Sequence, residues 1–385
     1  MSLITYLTTI RFDFGASQGL SNDLTELGIK APLMITDKGV ERAGLVDRLK
    51  AVLPNGDDAP VFTETPTNPT EGAVLAALDL YRSEGCDGLI AVGGGSPIDL
   101  AKGVALLSTH DGPLEQYAAI LGGTPKITSA VAPLIAVPTT AGTGSEVGRA
   151  ALITLEDGRK LGFISPYLIP KRAVCDPDLT LGLPPGLTAA TGMDAVTHCV
   201  ETFLSPRINP PAEAIALDGL VRAVNNIEQA VAQGSSREAR YEMLMAALEG
   251  GLTFQKGLGA VHALSHLLGG LKQVSLHHGT LNAVLLPYVL EFNEGHSGTK
   301  YKTIRQRLGL EPGADLPHYF RALNKRLSMP STLAEMGVPR ECLSAVSESA
   351  TKDHSSATNP RQVSENDYLA ILEAAYAGTP LRSND

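Results

Sequence analysis

The stretch Cys86-Asp-Gly-Leu-Ile-Ala-Val-Gly-Gly-Gly-Ser-Pro-Ile-Asp99 carries a strand into a glycine turn and out into a helix. Cys86 to Val92 is a short apolar run, the mark of a strand covered on both faces. Gly93, Gly94 and Gly95 let the backbone take positive φ and approach a ligand closely. Ser96 suits a helix cap, and Pro97 suits the first helical position, where its missing N–H costs nothing. The helix then opens with unsatisfied N–H groups facing the turn, a site for phosphate or pyrophosphate. The plainer alternative is a tight strand-to-helix turn that binds nothing. Three consecutive glycines followed by Ser-Pro favour the anion.

The same alternation surrounds this stretch. Strands are expected at Thr8–Phe14, Ala31–Thr36, Val61–Thr63 and Leu134–Val137, and helices at Ser21–Leu27, Arg42–Val52, Glu71–Tyr81 and Ile98–Leu107. Alternating strands and helices imply right-handed crossovers and a mostly parallel sheet, with ligands outside the carboxyl ends of its strands. Residues 150–176 read as a β-rich excursion. The ordinary Gly-x-Gly-x-x-Gly fingerprint and the nucleoside triphosphatase loop are both absent. Asp37 ends a strand, where a carboxylate accepts hydrogen bonds from ribose hydroxyls and repels a 2′-phosphate, favouring NAD over NADP. A turn aspartate is its plainer reading. In Pro138-Thr-Thr-Ala-Gly-Thr-Gly-Ser-Glu146, eight of nine residues are small or polar, which suits wrapping the polar middle of a dinucleotide. Lys160 meets phosphate or is a solvated strand residue.

Composition narrows the function classes. The chain has 385 residues, 43% hydrophobic and 19% charged, with net charge −10. That balance suits two globular domains and argues against nucleic acid, whose phosphates need clustered Lys and Arg. Cys86, Cys175, Cys199 and Cys342 are scattered, so neither a thiolate zinc site nor a disulfide framework is expected. Met1–Tyr6 lacks the basic start and apolar run of a signal peptide, and no apolar run reaches membrane-spanning length. A cytoplasmic protein is expected.

After Asp176–Pro185 the strand pattern stops and helical periodicity takes over, at Leu187–Leu204, Pro211–Gln233, Ser236–Leu252, Ala260–Leu268, Asn282–Asn293, Tyr301–Leu308, Leu316–Leu327, Pro339–Lys352 and Glu365–Ala377. Gly279, Pro287, Gly298 and Pro312 are read as breakers. In Thr191-Gly-Met-Asp-Ala-Val-Thr-His198, Asp194 and His198 share one helical face. His262 and His266 share another by the same spacing. His277, His278 and His296 follow. A helical Asp and His are commonly a surface pair, and a lone buried His is commonly a core residue. These six histidines and an aspartate gathered in one helical half point instead to Fe²⁺ or Zn²⁺.

Four motifs now match one family in order: Gly93–Lys102, Pro138–Glu146, Gly192–His198, and Val261–His266 with His278-Gly-Thr-Leu-Asn-Ala-Val-Leu-Leu-Pro287. They resemble the iron-dependent (group III) alcohol dehydrogenases; the far C-terminus carries little signature. The resemblance implies an α/β Rossmann-like parallel-sheet domain over residues 1–183 and an all-α helical domain over 184–385, the dehydroquinate synthase-like architecture. It implies Asp194, His198, His262 and His278 as metal ligands, with the doublet leaving His277 as an alternative to His278. His266 would lie near the metal and relay a proton or orient a ligand, and Phe254 would line the pocket. Gly94, Gly95, Ser96, Asp99, Thr139, Thr140, Thr143 and Leu179 would line NAD, Asp37 would meet its adenosine ribose, and Asn68 and Lys160 match further cofactor positions. The expected activity is hydride exchange between NAD(H) and a small alcohol or aldehyde in a homodimer or larger homo-oligomer. Alternatives are a non-redox lyase of dehydroquinate-synthase type and a maleylacetate-reductase-like enzyme. Lys256 hints at an anionic substrate or is a solvated lysine.

Overall fold

Strand β4 (Gly88–Gly93) sits inside a six-stranded sheet, and all six of its residues are buried. The sheet's other strands are β1 (Thr9–Phe12), β2 (Pro32–Ile35), β3 (Val61–Phe62), β5 (Leu134–Pro138) and β8 (Arg172–Cys175), in the order β1-β8-β5-β4-β2-β3 with every adjacent pair parallel. The fold comes from a computed structural model that describes residues 8–271 and 273–381. The expectation about Met1–Tyr6 lies outside the described residues. The chain divides into two compact units, with the break between Leu183 and Pro184.

Successive side chains of a strand point to opposite faces, and this builds two cores from one sheet. Leu33, Ile35, Leu89, Ala91, Leu134 and Ala136 pack under helices α4 (Glu71–Ser83) and α5 (Gly95–Leu107). Met34, Ile90, Val92, Ile135 and Val137 pack on the other face with α1 (Leu20–Leu27) and α3 (Leu45–Lys50). Each buried Val, Leu, Ile or Met side chain among them contributes about 1.5–3 kcal/mol of transfer free energy. From β2 the chain runs outward to β3 at the sheet edge; from β4 it runs the other way to β5. The carboxyl ends of β2 and β4 therefore lie side by side at a topological switch point. There the Thr36 hydroxyl donates to the Val92 carbonyl at 2.8 Å.

Two expectations need correction here. The helix expected over Arg42–Val52 is two helices, α2 (Lys38–Arg42) and α3, because Gly44 turns left-handed at φ 72°. The β-rich excursion is only the antiparallel hairpin β6 (Ala150–Thr154) and β7 (Lys160–Ile164); β8 joins the main sheet between β1 and β5.

The helical unit is built around α6 (Pro185–Leu204), which is buried continuously from Thr188 to Leu204. It packs against α7 (Pro210–Ala232), α8 (Arg237–Leu252) and α10 (His278–Asn293), with α9 (Ala260–Leu268) against α10. The remaining helices are α11 (Lys300–Arg307), α12 (Leu316–Arg326), α13 (Leu343–Ala350) and α14 (Glu365–Ala377). Gly279 and Pro287 do not break the chain but lie inside α10. Pro287 has no N–H for the Ala283 carbonyl one turn back. That carbonyl instead accepts from Asn324 Nδ2 at 2.6 Å. Gly279 is required by close helix approach: a Cβ there would fall 2.1 Å from the Ala190 carbonyl oxygen of α6.

Candidate active site

The glycine turn closes β4 and opens α5 at the switch point. Gly93 has φ 150°, Gly94 is the N-cap without a side-chain cap, and Gly95 is the first helical residue. The helix thus starts earlier than Pro97. Ser96 does not cap it; its hydroxyl donates to the Thr67 carbonyl. The first N–H groups of α5 still face the turn without intrahelical partners. The Pro138–Glu146 loop folds over the same place. Buried Thr139 donates its N–H to the Gly93 carbonyl at 3.0 Å. A Cβ on Gly94 or Gly95 would lie 3.1 Å from Thr140 Oγ1 or 3.0 Å from Thr143 Cγ2. The bare backbone therefore lets the two threonines close against it.

Other expected cofactor residues have protein partners. Asp37 caps α2, its Oδ1 accepting from Gly39 and Val40 N–H at 2.7 and 3.0 Å. Lys160 donates to Asn68 Oδ1 at 3.0 Å, and burial lowers its pKa. Asp99 accepts from Ser145 Oγ at 2.6 Å and from the Leu152 N–H at 2.9 Å, which ties the loop and hairpin to α5. Leu179 is buried and packs with Val92 and Val137, the residues that precede the glycine turn and Pro138, and with Val174.

In the helical unit, α6 supplies Asp194 and His198, α9 supplies His262, and α10 supplies His278. The Nε2 atoms of His198, His262 and His278 lie 3.5, 3.7 and 3.7 Å from Asp194 Oδ1. The donor atoms of Asp194, His262 and His278 all fall within 4.8 Å of one another. His277 is the N-cap of α10, outside that group, and burial lowers its pKa. His296 is exposed and hydrogen-bonded to the Glu294 carbonyl. Burial alone would raise the Asp194 pKa, but His198, His262 and His278 hold it well below the usual carboxylate range. Three imidazole nitrogens and one carboxylate oxygen, with no thiolate, suit a divalent transition cation. Phe254 meets His198 edge to face at 4.7 Å, walling one side. His266 stacks on His278 at 5.6 Å.

Two residues absent from the sequence expectations shape this cluster. Buried Glu201 accepts from His262 Nδ1 at 2.6 Å and from the N–H groups of Gly259 and Val261. That orients the ring so that Nε2 faces Asp194 Oδ1 at 3.7 Å, and in the neutral ring it fixes the tautomer with the lone pair on Nε2. Burial opposes charge on His262, but Asp194 and Glu201 raise its pKa to about 9. Glu201 lies seven residues past Asp194 and three past His198, so helical spacing was the available signal. Asn282 donates from Nδ2 to Asp194 Oδ1 at 2.7 Å, one turn beyond His278 on α10. Placing the start of α10 at Asn282 hid that relation.

Lys256 is neither a solvated lysine nor free to meet a substrate anion. It is fully buried, donates to the Phe203 and Ser205 carbonyls, and lies 3.1 Å from Glu213, which Lys300 also reaches. Burial, with Lys300 nearby, lowers its pKa to about 8.

Hydride exchange with an alcohol needs a dinucleotide to carry the hydride and a cation to polarise the oxygen. A glycine turn that opens a helix in one unit and an Asp–His donor set in the other have the chemistry those two needs call for. They place the chain among the metal- and dinucleotide-dependent oxidoreductases. Comparison with known proteins is more specific. Residues 8–177 match the iron-containing alcohol dehydrogenase model, and residues 188–376 match the C-terminal model of the Fe-containing alcohol dehydrogenase family. The 4-hydroxybutyrate dehydrogenase of Cupriavidus necator is 53% identical, covering 97% of this chain and 99% of its own. A 1,3-propanediol oxidoreductase structure superposes with TM-score 0.92 at 35% identity, covering 97% of this chain and 100% of its own. The sulfoacetaldehyde reductase of Bifidobacterium kashiwanohense, in complex with NAD⁺, gives TM-score 0.88 at 26% identity over the whole of both chains. The chain belongs to the iron-containing alcohol dehydrogenase family, as an NAD-dependent oxidoreductase of small alcohols and aldehydes. Nothing favours the lyase alternative.

Proposed function

We propose that the chain interconverts a short hydroxy acid and its aldehyde, with 4-hydroxybutyrate as the leading substrate, using Fe²⁺ held by Asp194, His198, His262 and His278. The observation that carries the metal assignment is the approach of three imidazole nitrogens to one buried carboxylate oxygen, at 3.5, 3.7 and 3.7 Å. The substrate class rests on relatives named for 4-hydroxybutyrate and sulfoacetaldehyde, both anionic.

A bound ferrous ion supplies Lewis acidity to the substrate oxygen, and NAD supplies the hydride acceptor. The chain's own residues set the conditions. Asp194 offsets part of the cation's charge, and the imidazoles add none while neutral. Glu201 keeps His262 oriented. Asp353 Oδ2 accepts from His266 Nδ1 at 3.1 Å, which leaves His266 Nε2 with its lone pair. In this reading that atom takes up the hydroxyl proton, directly or through water. The glycine turn and Thr139, Thr140 and Thr143 hold the dinucleotide phosphates. We further propose a cytoplasmic homo-oligomer. Four free thiols support the compartment, and exposed Ile120 and Leu121 support association. Among the described residues no helix is long and apolar enough to cross a membrane.

The test is NAD reduction by metal-stripped protein before and after anaerobic Fe²⁺ addition, with 4-hydroxybutyrate, 1-butanol and 1,3-propanediol. Activity restored by iron and highest with 4-hydroxybutyrate is expected. Equal activity without metal would remove the role given to Asp194 and the histidines. Equal rates on all three would remove the anionic substrate. Light scattering reads the oligomer.

A further inference from the structure

Beside the Asp194 cluster lies a second group of metal-ligating side chains. Asp353 stands between two imidazoles and turns a different oxygen toward each. Its Oδ2 is 3.1 Å from His266 Nδ1, and its Oδ1 is 3.6 Å from His354 Nδ1. One ligand atom from each of the three residues falls within 4.8 Å of the others. The His266 and His354 rings stack at 5.6 Å with only 19° between their planes, so both present nitrogen edges toward the carboxylate. His354 is half exposed, whereas Asp353 and His266 are mostly buried. The group therefore has an open side for a cation to enter. Two imidazoles and one carboxylate with open positions form a donor set for Zn²⁺, Co²⁺ or Fe²⁺. The Ser355 N–H already braces Asp353 Oδ1 at 2.8 Å, so the carboxylate is fixed before any ion arrives.

We propose that His266, Asp353 and His354 form a second divalent-cation site, separate from the Asp194 cluster, and that filling it inhibits the enzyme. The inhibition follows from the tautomer. Asp353 now holds His266 with the proton on Nδ1 and the lone pair on Nε2. Coordination through Nδ1 needs the lone pair there. The proton then moves through solvent to Nε2, with no net gain or loss. His266 Nε2 becomes a donor and no longer accepts the substrate's proton. The inhibitory half rests on the proposed role of His266; the binding half does not.

The experiment uses iron-loaded enzyme at one Fe²⁺ per chain. Zn²⁺ is added anaerobically, excess metal is removed by gel filtration, and iron and zinc are both counted by mass spectrometry. One zinc per chain is expected on top of retained iron, with activity falling roughly a hundredfold in step with zinc, the usual worth of a positioned base. His354→Gln is expected to keep iron, fold and basal activity, and to lose the zinc and the inhibition. His354→Ala, with a still smaller side chain, should behave alike. Zinc that replaces iron one for one, or that binds both variants as it binds the wild type, overturns the site. Zinc bound as expected but without inhibition overturns the inhibitory half and the acceptor role of His266. Failure to retain iron at the outset counts against the Asp194 ligand set. In that case the zinc difference between wild type and His354→Gln still decides the second site.

Discussion

Two buried carboxylates, one in each unit, are treated in opposite ways. Asp194 is 3% exposed and Glu146 1%, so burial pushes both pKa values up. Around Asp194, three imidazoles and the Asn282 amide approach the same oxygen, and it stays an anion. Glu146 has Lys102 nearby, but the Lys102 ammonium donates to Ser145 O, Ser145 Oγ and Ala150 O at 2.7–2.8 Å. Glu146 Oε1 has no hydrogen-bond partner, and burial carries its pKa up to about 7. A buried carboxylate keeps its charge only where cationic or donor groups meet on it. The arrangement at Asp194 suits a ligand; that at Glu146 suits a group near neutrality.

The strongest way to break this contrast is Asp194→Asn, which keeps the shape and removes the charge. Iron should be lost and kcat/KM should fall roughly a thousandfold or more, because several kcal/mol of charge stabilisation depend on the bound cation. Melting and circular dichroism should show an intact fold. Activity within tenfold of wild type would mean that Asp194 is not a ligand. Lys256→Met is next. It breaks a buried ion pair and should lower unfolding free energy by about 3 kcal/mol while leaving KM for 4-hydroxybutyrate unchanged. A raised KM with stability preserved would return Lys256 to substrate recognition. Glu201→Gln is milder. It removes the carboxylate from His262 Nδ1, and iron affinity, read by chelator competition, should drop about 10- to 100-fold. Unchanged affinity would show that His262 is held without Glu201.

The legible parts of the molecule are those where function needs a local pattern. Gly93–Gly95 after an apolar strand announced the turn, and Asp194 with His198 announced a helix face. Parallel pairing could be argued from alternation alone. The order of β8 could not, because a strand that returns between β1 and β5 is chosen by long-range packing. Glu201 and Asn282 were within reach of helical spacing, yet their roles depend on what α6, α9 and α10 bring together. Lys256 was misread because its partners, Phe203, Ser205 and Glu213, precede it by more than forty residues. Asp353 and His354 fall in a segment without motif, where only tertiary contact with His266 gives them meaning.

The smallest effect tests the other side of the contrast. Glu146 titrates at about 7 when folded and near 4.5 in the unfolded chain. Between those values the folded carboxyl keeps a proton that the unfolded chain has lost. Stability must then fall as pH rises through that window and level off above it. A shift of this size corresponds to roughly 3 kcal/mol at most. Glu146→Gln removes the titration but also the attraction to Lys102, so the net gain should be about 1 kcal/mol at pH 8. Near pH 4.5, where folded Glu146 is neutral like Gln, the variant and wild type should match. Denaturant unfolding of metal-stripped protein at the two pH values reads the difference, since every other group is common to both. If the two proteins change in parallel with pH, Glu146 is charged at neutral pH and paired with Lys102. The two carboxylates would then be alike, and charge retention would not mark Asp194 as a ligand.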